Sequence, residues 1–190
     1  MGLAPLPAPT VLGFVGQGVR RLLGRSLEAS GCSAASPLLD RAVEVFTEIY
    51  GDGLLVATRP YPGVEAVLRD LASRGVVLSL LTNKSSAFSA AILRGLGLEA
   101  LFRAAVTGDG DLPRKPAPDG ATFLVRASGL PASLALIVGD SPEDLETARA
   151  AGIASCAVTW GFRSRDELAQ ARPDHQVSRP EELLGLAWPG

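Results

Sequence analysis

Two carboxylates four residues apart, Asp140 and Asp144, follow the apolar run 134–138 and one glycine. A short apolar run with a β-branched end is typical of a buried parallel strand, and open α/β sheets bind their ligands at the carboxyl ends of such strands. Anionic oxygens there favour a hard cation, for which we expect Mg²⁺. The alternative is a capped helix, with Ser141 as N-cap and Pro142 in the first turn, whose acids complement the helix dipole. From these residues alone both interpretations stay open.

Polar side chains also follow two other apolar segments. Thr82 and Asn83 come after 76–81, where a hydroxyl, an amide and backbone N–H groups can hold a phosphate; a helix N-cap is the alternative. Lys115 lies between two prolines in the loop after Val106. A fixed ammonium there can neutralise phosphoryl charge, and a solvated lysine in a turn is the alternative. Because all three segments read as strands, we expect these side chains at one edge of a sheet.

The elements that must position these residues alternate in type after the linker 60–63. Predicted strands are 76–81, 104–106, 134–138, 154–158 and 175–177, and predicted helices are 64–74, 86–96, 119–128, 144–151 and 165–171. Such alternation is typical of a doubly wound parallel α/β sheet. Before the linker, helical periodicity extends from about 9 to 57 and is interrupted at 31–37. We therefore expect a helical cap over residues 1–59 and an α/β core over residues 60–190.

Composition narrows the classes of function. The 190-residue chain has a net charge of −2 and no basic run, which gives no case for binding nucleic acid or an anionic membrane. Its two cysteines, Cys32 and Cys156, are far apart in apolar contexts, and a single histidine leaves no zinc pattern. No signal-peptide pattern or membrane-length apolar run occurs. We expect a cytoplasmic protein that is a monomer or a weak homodimer.

Taken in order, these motifs resemble the haloacid dehalogenase-like (HAD) hydrolase superfamily, and most closely its phosphoglycolate phosphatase branch. The resemblance extends over nearly the whole chain and rests on the segments 14–18 (FVGQG), 61–64 (YPGV), 81–84 (LTNK), 115–118 (KPAP), 139–141 (GDS) with Asp144, and 160–161 (WG). It implies an HAD-like Rossmannoid core with a small helical cap. It also implies Mg²⁺-dependent hydrolysis of a small phosphate monoester, 2-phosphoglycolate first, through an aspartyl-phosphate.

The resemblance also implies roles for individual residues. Thr82 and Asn83 would belong to the motif that holds the phosphate. Lys115 would be the catalytic lysine that pairs with the phosphoryl group and the nucleophile. Asp140 would be a Mg²⁺ ligand, and Asp144 would support the metal shell.

The cap of this family closes over the site, excludes water and sets the choice of substrate. Gly16, Gln17 and Gly18 are the candidates for that contribution here, because glycines permit a close approach of the backbone. A tight helix N-terminus is the alternative interpretation of the same three residues.

One motif of the family has no counterpart in this sequence. The first motif, Asp-x-Asp-Gly-Thr, ends the central first strand and supplies the nucleophile; segment 109–112 lacks Gly-Thr and follows no suitable apolar run. Because residues 1–7 resemble the loop after the first cap helix, we expect an N-terminally truncated chain with little or no hydrolysis of its own. A core without its central first strand would keep two unpaired inner edges. The alternatives are a non-catalytic module that binds phosphate or sugar phosphate, and a non-functional fragment that exposes its core and aggregates without cooperative unfolding.

Overall fold

The structure is a computed structural model that describes residues 3–186. Residues 1–2 and 187–190, which belong to the ends of the two predicted domains, lie outside the described residues. Within residues 3–186, no helix combines the length and the apolar character that crossing a membrane requires.

The first part of the chain is a helical segment. It contains α1 (Ala8–Leu12), α2 (Val19–Ala29) and α3 (Ser36–Gly53). A small buried cluster joins α2 to α3 and consists of Leu27, Leu39 and Ala42. The predicted helices and the break between α2 and α3 are confirmed, but the helical path is also interrupted at 13–18. The reason is local, since Gly16 and Gly18 adopt positive φ angles of 131° and 88°, which glycine reaches at little cost.

Strands and helices alternate after the linker, as predicted. The elements are α4 (Val64–Ser73), β1 (Leu78–Leu81), α5 (Ser86–Gly95), β2 (Phe102–Val106), α6 (Asp119–Ser128), β3 (Leu136–Gly139), α7 (Pro142–Ala151), β4 (Ala154–Val158), α8 (Arg165–Gln170) and β5 (His175–Val177). Short 3-10 helices occur at Glu99–Leu101, Ala132–Leu134 and Pro180–Gly185. The bounds of α6, β4 and β5 are those predicted from the sequence.

Among residues 3–186, the strands form two parallel sheets. β1 pairs with β2, and β4 lies between β3 and β5. Leu78 of β1 and Leu136 of β3 both pack against the same apolar cluster, which joins the two sheets. β1 and β3 do not pair with each other, and the absence of a central first strand between them stays a prediction. Val138, on the border strand β3, is 43% exposed, although apolar parallel strands are ordinarily buried.

Strand β4 shows that helices cover both faces of its sheet. Cys156 and Val158 belong to a buried cluster with Val67 of α4. Ala157, between them in sequence, belongs to a cluster with Leu145 of α7. Successive strand residues point to opposite faces, so helices lie on each side. The doubly wound α/β prediction is confirmed, and the carboxyl ends of the strands are fixed between two packed layers.

Candidate active site

Asp140 lies directly after β3, at the carboxyl edge of its sheet. Its Oδ2 accepts a hydrogen bond of 2.8 Å from the backbone N–H of Phe162. Gly161 makes this approach possible, because a Cβ at that position would overlap the Asp140 carboxylate. Among the described residues, Oδ1 of Asp140 has no hydrogen-bond partner, so one oxygen of this carboxylate remains available to a ligand.

Asp144 takes part in the cap of helix α7. Its Oδ2 accepts hydrogen bonds from the Ser141 N–H at 3.1 Å and from the Ser141 hydroxyl at 2.7 Å. Ser141 is therefore the N-cap that the sequence predicts, and Pro142 occupies the first turn. Reciprocal bonding of this kind fixes the start of a helix. The capped-helix interpretation is thus correct for Asp144, but this carboxylate also has a second partner.

The other oxygen of Asp144 binds Lys115. Lys115 Nζ lies 2.5 Å from Asp144 Oδ1, and the two side chains are only 13% and 8% exposed. A charge-assisted contact of this length in a buried setting holds the ammonium in one place. The alternative of a solvated lysine in a turn is therefore wrong. Lys115 and Asp144 come together across 29 residues of sequence, as the shared sheet edge predicts.

Asn83 links three parts of the chain through its side-chain amide. Nδ2 donates to the carbonyl of Gly16 at 3.0 Å and to the carbonyl of Lys115 at 3.1 Å. Oδ1 accepts from the Lys115 N–H at 2.9 Å. The residue is 9% exposed. Both N–H groups of the side-chain amide already donate hydrogen bonds. The predicted contact of Asn83 with phosphate would therefore have to come from its backbone.

Thr82 lies at the end of β1, as predicted, but its hydroxyl serves the local turn. Oγ1 accepts a hydrogen bond of 3.1 Å from the Lys84 N–H. Within residues 3–186, this side chain makes no hydrogen bond to Lys115 or Asp140. Lys84 instead reaches the helical segment, where its Nζ lies 2.8 Å from the Tyr50 hydroxyl. The role of Thr82 as a phosphate ligand stays a prediction that its position supports.

The loop 16–18 of the helical segment touches the α/β part at each of its residues. Gly16 offers its carbonyl to Asn83, and Gln17 Nε2 donates to Glu143 Oε1 at 2.8 Å. Gly18 is the N-cap of α2 and lies so close to Arg114 that a Cβ would come within 2.8 Å of its guanidinium. The helix-start interpretation is therefore correct for Gly18, and the same loop also reaches the candidate site.

Sequence reasoning missed four residues that complete this neighbourhood. Glu143 receives the Gln17 amide, and the Phe162 N–H holds Asp140. Arg163 donates to the Val15 carbonyl at 3.0 Å, and Arg114 donates to the Gly108 carbonyl at 2.5 Å. A signal existed in each case, because Glu143 and Arg114 are adjacent in sequence to motif residues, and Phe162 and Arg163 are the two residues after the segment 160–161.

Asp109 has a structural role in the described structure. Its carboxylate accepts from the Ser86 N–H at 2.8 Å, from the Ser86 hydroxyl at 2.9 Å and from the Thr107 hydroxyl at 3.0 Å. The hydrogen bond from the Ser86 backbone is the main reason that the pKa of Asp109 lies below its ordinary value. Asp109 thus ties the loop after β2 to the start of α5, which agrees with rejecting segment 109–112 as the missing first motif.

The described residues provide part of the ligand set that Mg²⁺ needs. Among residues 3–186, no group of three acidic, histidine or cysteine side chains gathers around one point. Asp140 has one oxygen free, whereas both oxygens of Asp144 accept hydrogen bonds. Mg²⁺ is usually held by one or two carboxylates together with water and phosphate oxygens. Asp140 therefore fits as a protein ligand, and Asp144 fits the supporting role.

Comparisons with known proteins show what this chain is similar to. A phosphoglycolate phosphatase from Neisseria gonorrhoeae is 36% identical over 97% of this chain and 77% of that protein. Another from Pseudomonas syringae pv. tomato is 36% identical over 96% of this chain and 69% of that protein. The crystal structure of a predicted phosphoglycolate phosphatase from Haemophilus somnus matches with a TM-score of 0.90 at 26% identity, over 97% of this chain and 84% of that one. A family model of haloacid dehalogenase-like hydrolases matches residues 14–152, and the chain belongs to that family.

Proposed function

We propose that this chain is the phosphate-binding part of a phosphatase of small phosphate monoesters, and that the substrate of that phosphatase is 2-phosphoglycolate. One observation carries the proposal: a buried ammonium, Lys115 Nζ, is held by Asp144 at the same sheet edge as the free oxygen of Asp140. A fixed positive charge beside an anionic ligand position suits a phosphoryl group, whose negative charge must be neutralised during transfer. The printed names of the relatives support 2-phosphoglycolate in particular.

Each residue of the site has a role in this proposal. Lys115 neutralises charge on the phosphoryl oxygens, and Asp144 keeps its ammonium oriented. Thr82 and the backbone after β1 lie where they can hold another phosphoryl oxygen. Asp140 would hold Mg²⁺, which when bound supplies Lewis-acid stabilisation of those oxygens. Glu143 holds Gln17, which brings the loop of the helical segment over this edge.

The helical segment would act as the cap in this scheme. Its loop 16–18 and the Val15 carbonyl already bind groups of the α/β part. A covered site excludes bulk water and strengthens electrostatic contacts inside it. The cap would therefore set the choice among small monoesters.

An aspartyl-phosphate route needs a carboxylate that can attack phosphorus. The 190-residue sequence contains no Asp-x-Asp-Gly-Thr, and the carboxylates of Asp144 and Asp109 are engaged in hydrogen bonds. We therefore expect this chain to bind phosphate with little or no turnover. A chain translated in frame from upstream DNA, if it supplies that motif, should hydrolyse 2-phosphoglycolate.

The test follows binding and turnover separately. The chain has two lysines, Lys84 and Lys115, so ¹⁵N-labelled lysine gives one side-chain NMR signal for each. Inorganic phosphate with Mg²⁺ should shift the Lys115 signal, Lys115→Met should abolish phosphate binding, and the control Lys84→Met should retain it. Absence of phosphate binding would contradict the proposal. Binding without turnover in a longer chain that carries the motif would instead favour the non-catalytic module.

We also propose a cytoplasmic location and a monomer or weak homodimer. Cys32 and Cys156 are both free thiols in the structure, which suits a reducing compartment. Sedimentation of the purified chain would test the oligomeric state.

A further inference from the structure

The side chain of Asn83 is buried and polar, and the proposed chemistry does not use it directly. It makes its three hydrogen bonds to backbone groups that are 32 and 67 residues away in sequence. Buried polar side chains are ordinarily hydrogen-bonded, and a fully bonded group makes the structure around it rigid. Here the partners are the N–H and the C=O of one residue, Lys115, together with the C=O of Gly16.

The peptide chain around Lys115 is held against Asn83 from a second side. A Cβ at Gly108 would overlap the backbone of Asn83, so these two backbones are in close contact. Arg114, which precedes Lys115, donates from Nε to the Gly108 carbonyl at 2.5 Å. The loop from 108 to 115 therefore closes on Asn83, and residue 115 has little freedom to rotate.

We infer that Asn83 is a positioning residue. Its side chain fixes the backbone N–H and C=O of Lys115, and its bond to Gly16 makes the position of the Lys115 ammonium depend on the bound loop of the helical segment. A lysine side chain is a flexible four-carbon stem, so its Nζ stays near Asp144 only when its backbone is fixed. The third bond, to Gly16, joins that fixation to the helical segment. This inference relies on the proposed function only for the importance of Lys115.

Amine labelling measures the inference directly, because Lys84 and Lys115 are the two side-chain amines of the sequence. A brief acetylation pulse followed by mass spectrometry reports each lysine separately. In Asn83→Ala, the ratio of Lys115 to Lys84 labelling should rise about tenfold, the factor that corresponds to losing one net buried hydrogen bond. General loosening of the fold would also raise the labelling of Lys84, whose Nζ contacts Tyr50 of the helical segment, so a rise confined to Lys115 is specific.

Gln17→Ala is the matched control, because it removes the other amide contact between the loop and the α/β part, from Gln17 to Glu143. Because it leaves the hydrogen bond from Asn83 to Gly16 in place, it should leave the ratio of Lys115 to Lys84 labelling near the wild-type value. The Lys115 signal of ¹⁵N-labelled lysine should move in Asn83→Ala and stay in place in Gln17→Ala. An unchanged ratio and an unchanged signal in folded Asn83→Ala would overturn the inference.

A measurement on the wild-type chain covers the case in which Asn83→Ala does not fold. The Lys115 amide N–H, bonded to Asn83 Oδ1, should exchange with solvent slowly, although it lies in a loop. Rapid exchange of that amide would overturn the inference. Neither the labelling nor the exchange needs turnover or phosphate, so a failure of the proposed phosphatase activity would remain distinguishable.

Discussion

The helical segment and the α/β part build the candidate site by different means. In the α/β part, Leu145 and Leu168 are 1% and 0% exposed, and the charged pair of the site is buried beside the sheet edge. In the helical segment, Ile49 is 67% exposed, and the contribution to the site consists of one loop and its hydrogen bonds. The well-packed α/β part therefore positions the charged side chains of the site. The helical segment, which buries little apolar surface, supplies the contacts that cover them.

This difference predicts two levels of stability in one chain. Local opening requires less free energy where few apolar side chains are buried. The helical cluster contains Leu27, Leu39 and Ala42, whereas six buried side chains form the largest cluster of the α/β part. We expect the helical segment to open first, while the charges at the sheet edge stay in place.

The largest contrast should come from ion pairs. Lys115→Met is expected to lower the free energy of unfolding by about 3–5 kcal/mol, because it leaves Asp144 buried without its cation. Arg41→Met breaks a pair with Glu44 in α3 whose side chains are 68% and 66% exposed, and it should cost less than about 1 kcal/mol. Urea unfolding measures both variants. Equal costs would contradict the contrast, and Asp144→Asn added to Lys115→Met should restore part of the loss.

Core leucines should give the next contrast. Leu145→Ala is expected to cost about 2–5 kcal/mol and to lower protection of every slow amide, because the α/β core unfolds as a unit. Leu39→Ala is expected to lower the free energy of unfolding by about 2 kcal/mol. Its hydrogen exchange should become faster only in α2 and α3. Hydrogen exchange with mass spectrometry separates the outcomes. Faster exchange of α7 in Leu39→Ala would show that the two parts open together.

The two thiols give the smallest and most local contrast. Burial raises the pKa of Cys156 from 9.0 to about 11, with a further contribution from Glu182, whereas Cys32 is partly exposed in the helical segment. At pH 8 a thiol reagent should label Cys32 first and Cys156 only after unfolding.

The raised pKa also predicts how stability depends on pH. The unfolded Cys156 thiol loses its proton at lower pH than the folded one, so this group should leave stability unchanged below pH 9 and reduce it between pH 9.0 and about 11. Melting temperatures from pH 8 to pH 11 measure the decrease, and Cys156→Ala is the control. A wild-type decrease no steeper than that of the control would contradict the assignment.

The sequence predicts most of this fold because the signals are local. Runs of apolar residues, glycines after helices and the N-cap Ser141 give each element of the α/β part, and the alternation implies parallel strands whose ends meet. Thr82 and Asp140 were therefore predicted at the correct strand ends, and Lys115 at the same edge. The helix start at 16–18 was predicted only as an alternative, since the apolar spacing continues through 13–18 and the helix is broken by the backbone of Gly16 and Gly18.

Partnerships between distant side chains could not be predicted in the same way. A carboxylate at position 144 can cap its own helix, support a metal or bind a lysine, and the sequence does not choose among these. In the structure Asp144 caps the helix and binds Lys115. Asn83 was predicted to hold phosphate, yet its amide is bonded to backbone groups whose proximity depends on the complete fold. Its contact with phosphate stays a prediction.

The separation of the strands into two sheets has a consequence for handling the protein. In the described part of the chain, the four strands β1, β2, β3 and β5 each border a sheet, whereas one continuous sheet of five strands would have two border strands. Border strands can pair with strands of other molecules and so favour aggregation, and Val138 adds an exposed apolar side chain on one of them. The aggregated fraction of this chain should therefore rise steeply with protein concentration while its fold is still intact.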